Sequence, residues 1–374
     1  MAGRENQIGV GLIGCGAGGW AAARDALSGP MAVRIAALAD LFRSPIERMR
    51  RQLRRWGQDV ADGGCFLGGD AYLGVLGMRE VDCVVLATPP VFRPLHFRAA
   101  VSAGKDVFLG MPAAVDAGGA REILAAGIMA ERRGLAVAAD LPGRHDPAVR
   151  SFVRQLREGS AGRLMGMRIG LRLPPLSSSI RPPQMSQNEF QIRHWRSYLC
   201  LSGDLILDSQ SWQFDLANEI LGGHPVRALG QGGQSAGSMG DAFDHAALEF
   251  VYPGDVRLHS FCGRLSSVEY GESAIAWGDR GSLALPLVQA AAPMPRAGDS
   301  GAMDRGDRST GVCLGGLLAA RIAGEPWNDA RRAVEVTLTG ILGRGAASSG
   351  RELTWEEAAG SPIRLVPDPS SLVF

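Results

Sequence analysis

The chain lacks an electrostatic signature. Its 374 residues hold 39 Lys and Arg against 38 Asp and Glu, a formal net charge of +1. The arginine runs are therefore balanced by acids elsewhere, and no footprint for nucleic acid or a membrane surface results. It also lacks any stretch approaching the roughly twenty apolar residues that span a bilayer. Met1 to Gln7 has no apolar core of a secretion signal, so the expected location is the cytoplasm. Cysteines in metal-ligand spacing are missing too: Cys15, Cys65, Cys83, Cys200, Cys262 and Cys313 are scattered, several inside apolar runs, which predicts reduced core thiols and no metal site. What the length permits is about two domains, each with its own core.

The front of the chain is informative. Ile8 to Gly19, IGVGLIGCGAGG, is an apolar strand running into Gly14-x-Gly16-x-x-Gly19, and an alanine-rich helical stretch follows from Trp20. Gly14 permits the tight turn, Gly16 lets the backbone approach a pyrophosphate, and Gly19 allows close helix-on-strand packing. The helix N-terminus then faces the phosphates. A second apolar run, Val33 to Ala39, ends in Asp40 about twenty residues after the last glycine, where a carboxylate can accept hydrogen bonds from an adenosine ribose. Asp40 favours NAD over NADP, because it repels a 2′-phosphate. Arg43 tempers that preference unless it lies, with Arg48, Arg50, Arg51, Arg54 and Arg55, on the solvated face of the helix that begins near Pro45.

Strand-like and helical runs then alternate: Val81 to Ala87, the helix of Phe92 to Ser102, Asp106 to Leu109, Ala117 to Arg133, and Leu135 to Ala139. This pattern predicts a doubly wound parallel sheet. Thr88-Pro89-Pro90 follows one strand, at the edge where such sheets bind cofactors. After Pro142-Gly143 the pattern changes. Pro147 to Gly159 reads as a helix, Arg163 to Leu173 as a long strand, and Pro174 to Asn188 as a loop with the composition of a mobile one. Phe243 to Tyr252, Val256 to Cys262 and Glu269 to Trp277 read as strands of a largely antiparallel sheet with one open face. The expected division is a nucleotide-binding domain over residues 1–145 and an α+β substrate and oligomerisation domain over 146–374.

Several segments together, CFLGGDAYLGVL, VDCVVLATPPVFRPLHFRAAVSAGKDVFL, WRSYLCLSGD, FDHAALEFVYPGDVRLHSF and ILGRGAASSGRELTWEE, resemble the glucose-fructose oxidoreductase, inositol dehydrogenase and rhizopine-catabolism (Gfo/Idh/MocA) family. The resemblance implies a Rossmann domain binding NAD(P), with Thr88, Pro89 and Pro112 beside the cofactor. It also implies a second domain whose open sheet supports the substrate pocket and oligomer contacts. It implies a sugar, cyclitol or related hydroxylated substrate, and equally a homo-oligomer or a hetero-oligomer with an active homologue.

The same resemblance exposes three departures. Where the family has Glu-Lys-Pro, this chain has Gly110-Met111-Pro112. Methionine keeps the unbranched reach of lysine but has neither charge nor donor. Where the related branch has Glu-Gln-His-x-His-x-x-Asp, this chain reads Asp208-Ser209-Gln210-Ser211-Trp212-Gln213-Phe214-Asp215, so Trp212, a donor only, stands at the catalytic histidine. The Gly-x-Gln-Arg-Arg-His pattern appears as Asp140-Leu141-Pro142-Gly143-Arg144-His145. The site is rebuilt or retired. Candidate replacements are Asp215, as a base or as an orienting group, and Asp140, as a base or a turn cap. His194, His145 and Tyr198 also titrate. Arg193, Trp195, Tyr198 and Trp212 are candidate substrate contacts, with Trp195 and Trp212 able to stack on a sugar face or to serve as core. Two function classes follow: an NAD-dependent oxidoreductase with a reassigned acid-base group, or a catalytically silent dinucleotide-binding partner or regulatory subunit.

Overall fold

The structure is a computed structural model that describes residues 7–265, 270–285 and 310–366. Two sheets organise it. The first has the strand order β3-β2-β1-β4-β5-β6, all parallel, with β1 Ile8–Ile13, β2 Val33–Asp40, β3 Cys65–Leu67, β4 Cys83–Leu86, β5 Asp106–Leu109 and β6 Val137–Ala139. Alternate side chains of each strand enter two different cores: Val84, Leu86, Val107 and Leu109 on one face, Cys83, Val85 and Phe108 on the other. Burial on both faces is what makes these strands read as continuous apolar runs. The strand order reverses between β1 and β4, which sets the cofactor crevice at their carboxyl ends.

The second sheet has the order β12-β11-β7-β10-β9-β8-β13, with β7 Leu164–Leu173, β8 Arg227–Gly233, β9 His245–Tyr252, β10 Val256–Arg264, β11 Gly271–Gly278, β12 Gly281–Leu285 and β13 Leu353–Thr354. Every pairing is antiparallel except β7 with β10. The expected α/β fold with a doubly wound sheet and a large, mostly antiparallel one is therefore present. Glu269, the expected start of the β11 strand, lies outside the described residues. The short β3 and the glycine-rich β8 (RALGQGG) carry too little apolar alternation to stand out in sequence. The Pro174 to Asn188 segment is irregular until Gln187, where a helix starts with the Ser186 hydroxyl accepting from the Glu189 N–H.

One face of the second sheet is covered by the Leu205–Leu221 and Ala330–Ser349 helices. Among the described residues no helix covers the other face, where Leu229 and Phe261 are exposed. The Leu205–Leu221 helix is buried along nearly its whole length despite carrying Asp208, Gln210, Gln213, Asp215 and Asn218. Each of these polar groups has a partner. Gln210 bonds Gln213 and the Phe261 carbonyl, Gln213 bonds the Gly170 carbonyl, and Asn218 is shared between Thr339 and the Tyr252 hydroxyl. Unsatisfied, each would cost about 1–3 kcal/mol.

Late residues return to the first sheet. The Thr310–Ala323 helix packs on the Ala17–Ser28 helix, burying Cys313, Leu314, Leu317 and Leu318 in the first sheet's core. Arg321 near its end bonds the buried Asp106 at 2.6 Å and Asp82 at 3.0 Å. Replacing Arg321 with Ala leaves Asp106 short of its cation, and because Arg321 is itself about a third exposed the expected loss is about 2 kcal/mol. A lower urea midpoint with an unchanged slope checks this.

Candidate functional site

The glycine turn has the geometry a dinucleotide requires. Gly14 adopts φ +103°, and a Cβ there would lie 2.8 Å from the Ala87 carbonyl on the neighbouring strand. A Cβ on Gly19 would lie 2.1 Å from the Gly14 oxygen, whereas one on Gly16 would meet nothing within 4 Å. Gly14 and Gly19 are thus demanded by packing, and Gly16 opens toward the crevice. The helix that follows has no side chain capping its N-terminus, leaving its first N–H groups for an anion. Asp40 ends β2 with one carboxylate oxygen accepting from the Cys15 N–H (2.8 Å) and the other from the Phe42 N–H (3.0 Å). Burial pushes its carboxyl up, against these two bonds. These residues fit NAD: open space at Gly16 and, three strands from Met111, an oriented acid for the ribose.

The loops after β4 and β5 are tied together by a residue that sequence reading passed over. Arg93 is only 6% exposed. Its Nε donates to the Thr88 carbonyl at 2.9 Å and its Nη1 to the Pro112 carbonyl at 2.5 Å. A Cβ on Gly110 would stand 3.1 Å from this guanidinium and 2.8 Å from the Leu86 carbonyl. The position of the expected glutamate is therefore crowded by a buried cation, and glycine is what fits. Its signal in sequence was a lone charge within the apolar run VFRPLHF. Thr88 also pairs through its hydroxyl with His96 Nδ1 at 3.2 Å, and burial pushes that imidazole down to about 3.

No lysine elsewhere in the chain stands in for the one expected at position 111. Lys105 is the single lysine of the sequence. Its ammonium donates to the Met78 and Val81 carbonyls, ahead of β4 and so at the sheet edge opposite the crevice. Met111 itself is partly buried against the core.

Asp215 has both oxygens engaged by Arg144, at 2.7 to 3.1 Å, and Arg144 also reaches Glu219 at 2.9 Å. Burial pushes the Asp215 carboxyl up while Arg144 opposes the shift. Of the two roles considered for Asp215, orientation matches this bidentate pairing, and action as a base does not. Asp140 lies near Cys313 of the Thr310–Ala323 helix, whose thiol is raised first by burial and then by Asp140. His194 stacks on Phe190, one turn back, and its Nδ1 lies 2.9 Å from the Phe190 carbonyl, so it is engaged within its own helix. His145 stacks on Trp327, and burial lowers it.

Arg193, expected at the substrate, stands elsewhere. Its guanidinium lies 3.9 Å over the Phe42 ring and pairs with Glu189, close enough to Asp40 to lower that acid's affinity for protons. Stacking holds it at the ribose end of the crevice. Trp195 and Tyr198 pack on a cluster formed by Val91, Phe92, Val115, Ile192 and Leu201, with Leu41 and Phe42 alongside. The segment from Gln187 to Ser202 thus closes over the loops that follow β2, β4 and β5.

Trp212 is buried, and its ring lies where a Cβ on Gly143 would approach to 3.3 Å. Gly143 follows β6, the neighbour of β5, so Trp212 sits one strand over from Met111. Its indole Nε1 donates to Glu272 Oε1 at 3.0 Å, and the Tyr270 hydroxyl donates to the same oxygen. Neither Glu272, on β11, nor Tyr270, just ahead of it, drew notice in sequence, because both lie far from any motif. Arg264, at the end of β10, is a further buried cation; burial lowers it to about 10, opposed by Asp208, which itself pairs with Arg196 at 3.0 Å.

No family model matches the sequence. The myo-inositol 2-dehydrogenase of Lactobacillus plantarum has a similar structure at 16% identity and a TM-score of 0.76, over 93% of this chain and 99% of that one. The scyllo-inositol dehydrogenase of Lactobacillus casei with bound NAD(H) and scyllo-inositol gives 14% identity and 0.74, over 93% and 99%. GenD2 from gentamicin A biosynthesis, in complex with NAD, gives 17% identity and 0.75, over 94% and 97%. The chain has the two-domain fold of these Gfo/Idh/MocA-type dehydrogenases. In sequence, the dTDP-3,4-didehydro-2,6-dideoxy-alpha-D-glucose 3-reductase of Actinomadura kijaniata is 28% identical over 170 residues, 46% of this chain and 47% of that enzyme, so the match spans about half the relative's length.

Replacing Arg93 with Met removes two charge-assisted hydrogen bonds that join the Thr88 and Pro112 loops. The expected result is a loss of about 3 kcal/mol in stability, with weaker nucleotide binding in the fraction that folds. Thermal denaturation with and without NAD checks both.

Proposed function

We propose that the protein is an NAD-dependent oxidoreductase acting on a sugar, cyclitol or related hydroxylated metabolite through a rebuilt acid-base site. The observation that carries this reading is the intact nucleotide turn, Gly14, Gly16, Gly19 and Asp40; the resemblance sets Met111 and Trp212 where the family has its lysine and histidine. Gly16 and the following helix N-terminus hold the pyrophosphate, Asp40 holds the ribose, and Thr88, Pro89 and Pro112 border the nicotinamide end. NAD, when bound, supplies a two-electron acceptor. Met111 and Trp212 shape and dry the pocket without titrating, Arg144 and Asp215 fix the helix carrying Trp212, and the protein's own proton acceptor lies elsewhere. Asp140 stays among the candidates for that acceptor, and Trp195 and Tyr198 among the substrate contacts. The inositol and sugar substrates in the names of similar proteins support the substrate class.

The substitutions at Met111 and Trp212 also favour a second reading, a silent dinucleotide-binding partner or regulatory subunit of an active homologue. In either case the open face of the second sheet, where Leu229 and Phe261 are exposed, is the surface for a homo-oligomer or that hetero-oligomer. Sedimentation at micromolar concentration should give a species larger than a monomer.

The decisive test begins with calorimetry. NAD should bind, and Asp40→Ala should weaken NAD at least tenfold, about 1.4 kcal/mol, while weakening NADP less. Reduced nicotinamide should then accumulate with one member of a panel of cyclitols and glycosides. Folded protein that binds neither nucleotide removes the cofactor; nucleotide binding with no turnover across the panel leaves the silent partner.

A further inference from the structure

We propose that Glu272, backed by Tyr270 and held by Trp212, is the proton acceptor that replaces the missing histidine. The inference rests on the oxidoreductase reading above and names the residue that reading leaves open.

The argument starts from Trp212. The resemblance puts a proton-accepting imidazole at this position, and an indole can only donate. Its Nε1–H is directed at Glu272 Oε1, 3.0 Å away on β11 of the facing sheet. The substitution therefore exchanges an acceptor on the helix for a donor that fixes an acceptor across from it. Glu272 shares its side of β11 with Ala274 and Ala276, which are fully buried. Its own side chain is partly exposed at the end of that row. The Tyr270 hydroxyl, two residues earlier on the same face, donates to the same oxygen. Two donors from different elements converging on one carboxylate oxygen lock the group in place, which is the arrangement a general base needs.

Position agrees with this role. Trp212 rests on Gly143, at the carboxyl end of β6, and β6 pairs with β5, whose carboxyl end carries Met111 and Pro112. Adjacent strands lie about 4.8 Å apart. Trp212, which holds the acceptor, thus sits beside the strand end that carries Met111 and four strands from β2 and its Asp40.

In the oxidising direction the Glu272 carboxylate takes the O–H proton of a substrate alcohol, while oxidised nicotinamide, when bound, would accept the C–H hydrogen with its electron pair, leaving a carbonyl; in the reducing direction the Glu272 carboxyl gives its proton to the carbonyl oxygen, while reduced nicotinamide, when bound, would supply the hydride to the carbon. Trp212 touches no proton that moves; it is a positioning residue.

The contact is tested first without cofactor. In ¹⁵N-labelled protein the Trp212 indole N–H resonance, identified by its loss in Trp212→Phe, should shift in Glu272→Gln; no shift means the contact is absent and overturns the proposal. On the substrate found in the panel, Glu272→Gln should lose about 10² to 10⁴-fold in kcat, with KM and NAD affinity within about twofold of wild type. Formate should restore part of the turnover of Glu272→Ala, which a purely structural role would not allow. Tyr270→Phe, at a partly exposed residue, should fold normally and lose a smaller factor. Wild-type turnover retained by Glu272→Gln sinks the Glu272 assignment alone. A wild type that binds NAD but oxidises nothing in the panel sinks the oxidoreductase reading and this assignment with it.

Discussion

The Leu205–Leu221 helix imposes the constraint on which the rest depends: a buried helix that is rich in polar side chains must find a partner for each of them. Its polar groups look in several directions. Gln210 and Gln213 reach β10 and β7 of the second sheet, Asn218 reaches Thr339 and Tyr252, and Asp215 reaches Arg144 in the loop after β6. A shift of one residue along the helix would strand several of these groups at once. Hydrogen bonding therefore fixes how the helix is rotated, and the rotation decides where Trp212 points. The Arg144–Asp215 fork is the one among these ties that joins the helix to the nucleotide-binding layer.

Arg93 plays the corresponding part on the other side of the crevice. It joins the loops after β4 and β5 through two carbonyls, and Gly110 is the residue that its guanidinium tolerates beside it. Glycine at position 110 and the buried guanidinium of Arg93 thus belong to one packing arrangement.

Much of the fold was legible because both faces of the first sheet are buried. Val33 to Ala39, Val81 to Ala87 and Asp106 to Leu109 stand out as apolar runs, and the glycine turn marks their order. The short β3 and the glycine-rich β8 did not, since pairing with neighbours and not their own composition makes them strands. Met111, Trp212 and Asp215 were legible as candidates, because they lie in compact motifs. Their partners were not. Arg144 lies 71 positions from Asp215, and Glu272 lies 60 from Trp212. No local pattern links residues at such separations, so pairing emerges only when the second sheet is laid against the helix.

This difference in legibility bears on how a catalytic group can move within a fold. A base carried by the helix is visible in a motif, whereas a base on the facing strand needs only an isolated acid at the right register. Glu272 shares its face of β11 with two alanines, so one carboxylate there has room to emerge without competing for space. Trp212 then gains a reason to be tryptophan. Histidine at that position would meet Glu272 as a second titrating group and couple to it, while an indole supplies the same directed N–H with no proton of its own to exchange near neutrality. Lysine at position 111 would likewise add a cation beside the Pro112 carbonyl that Arg93 already holds, and methionine fills that length without one.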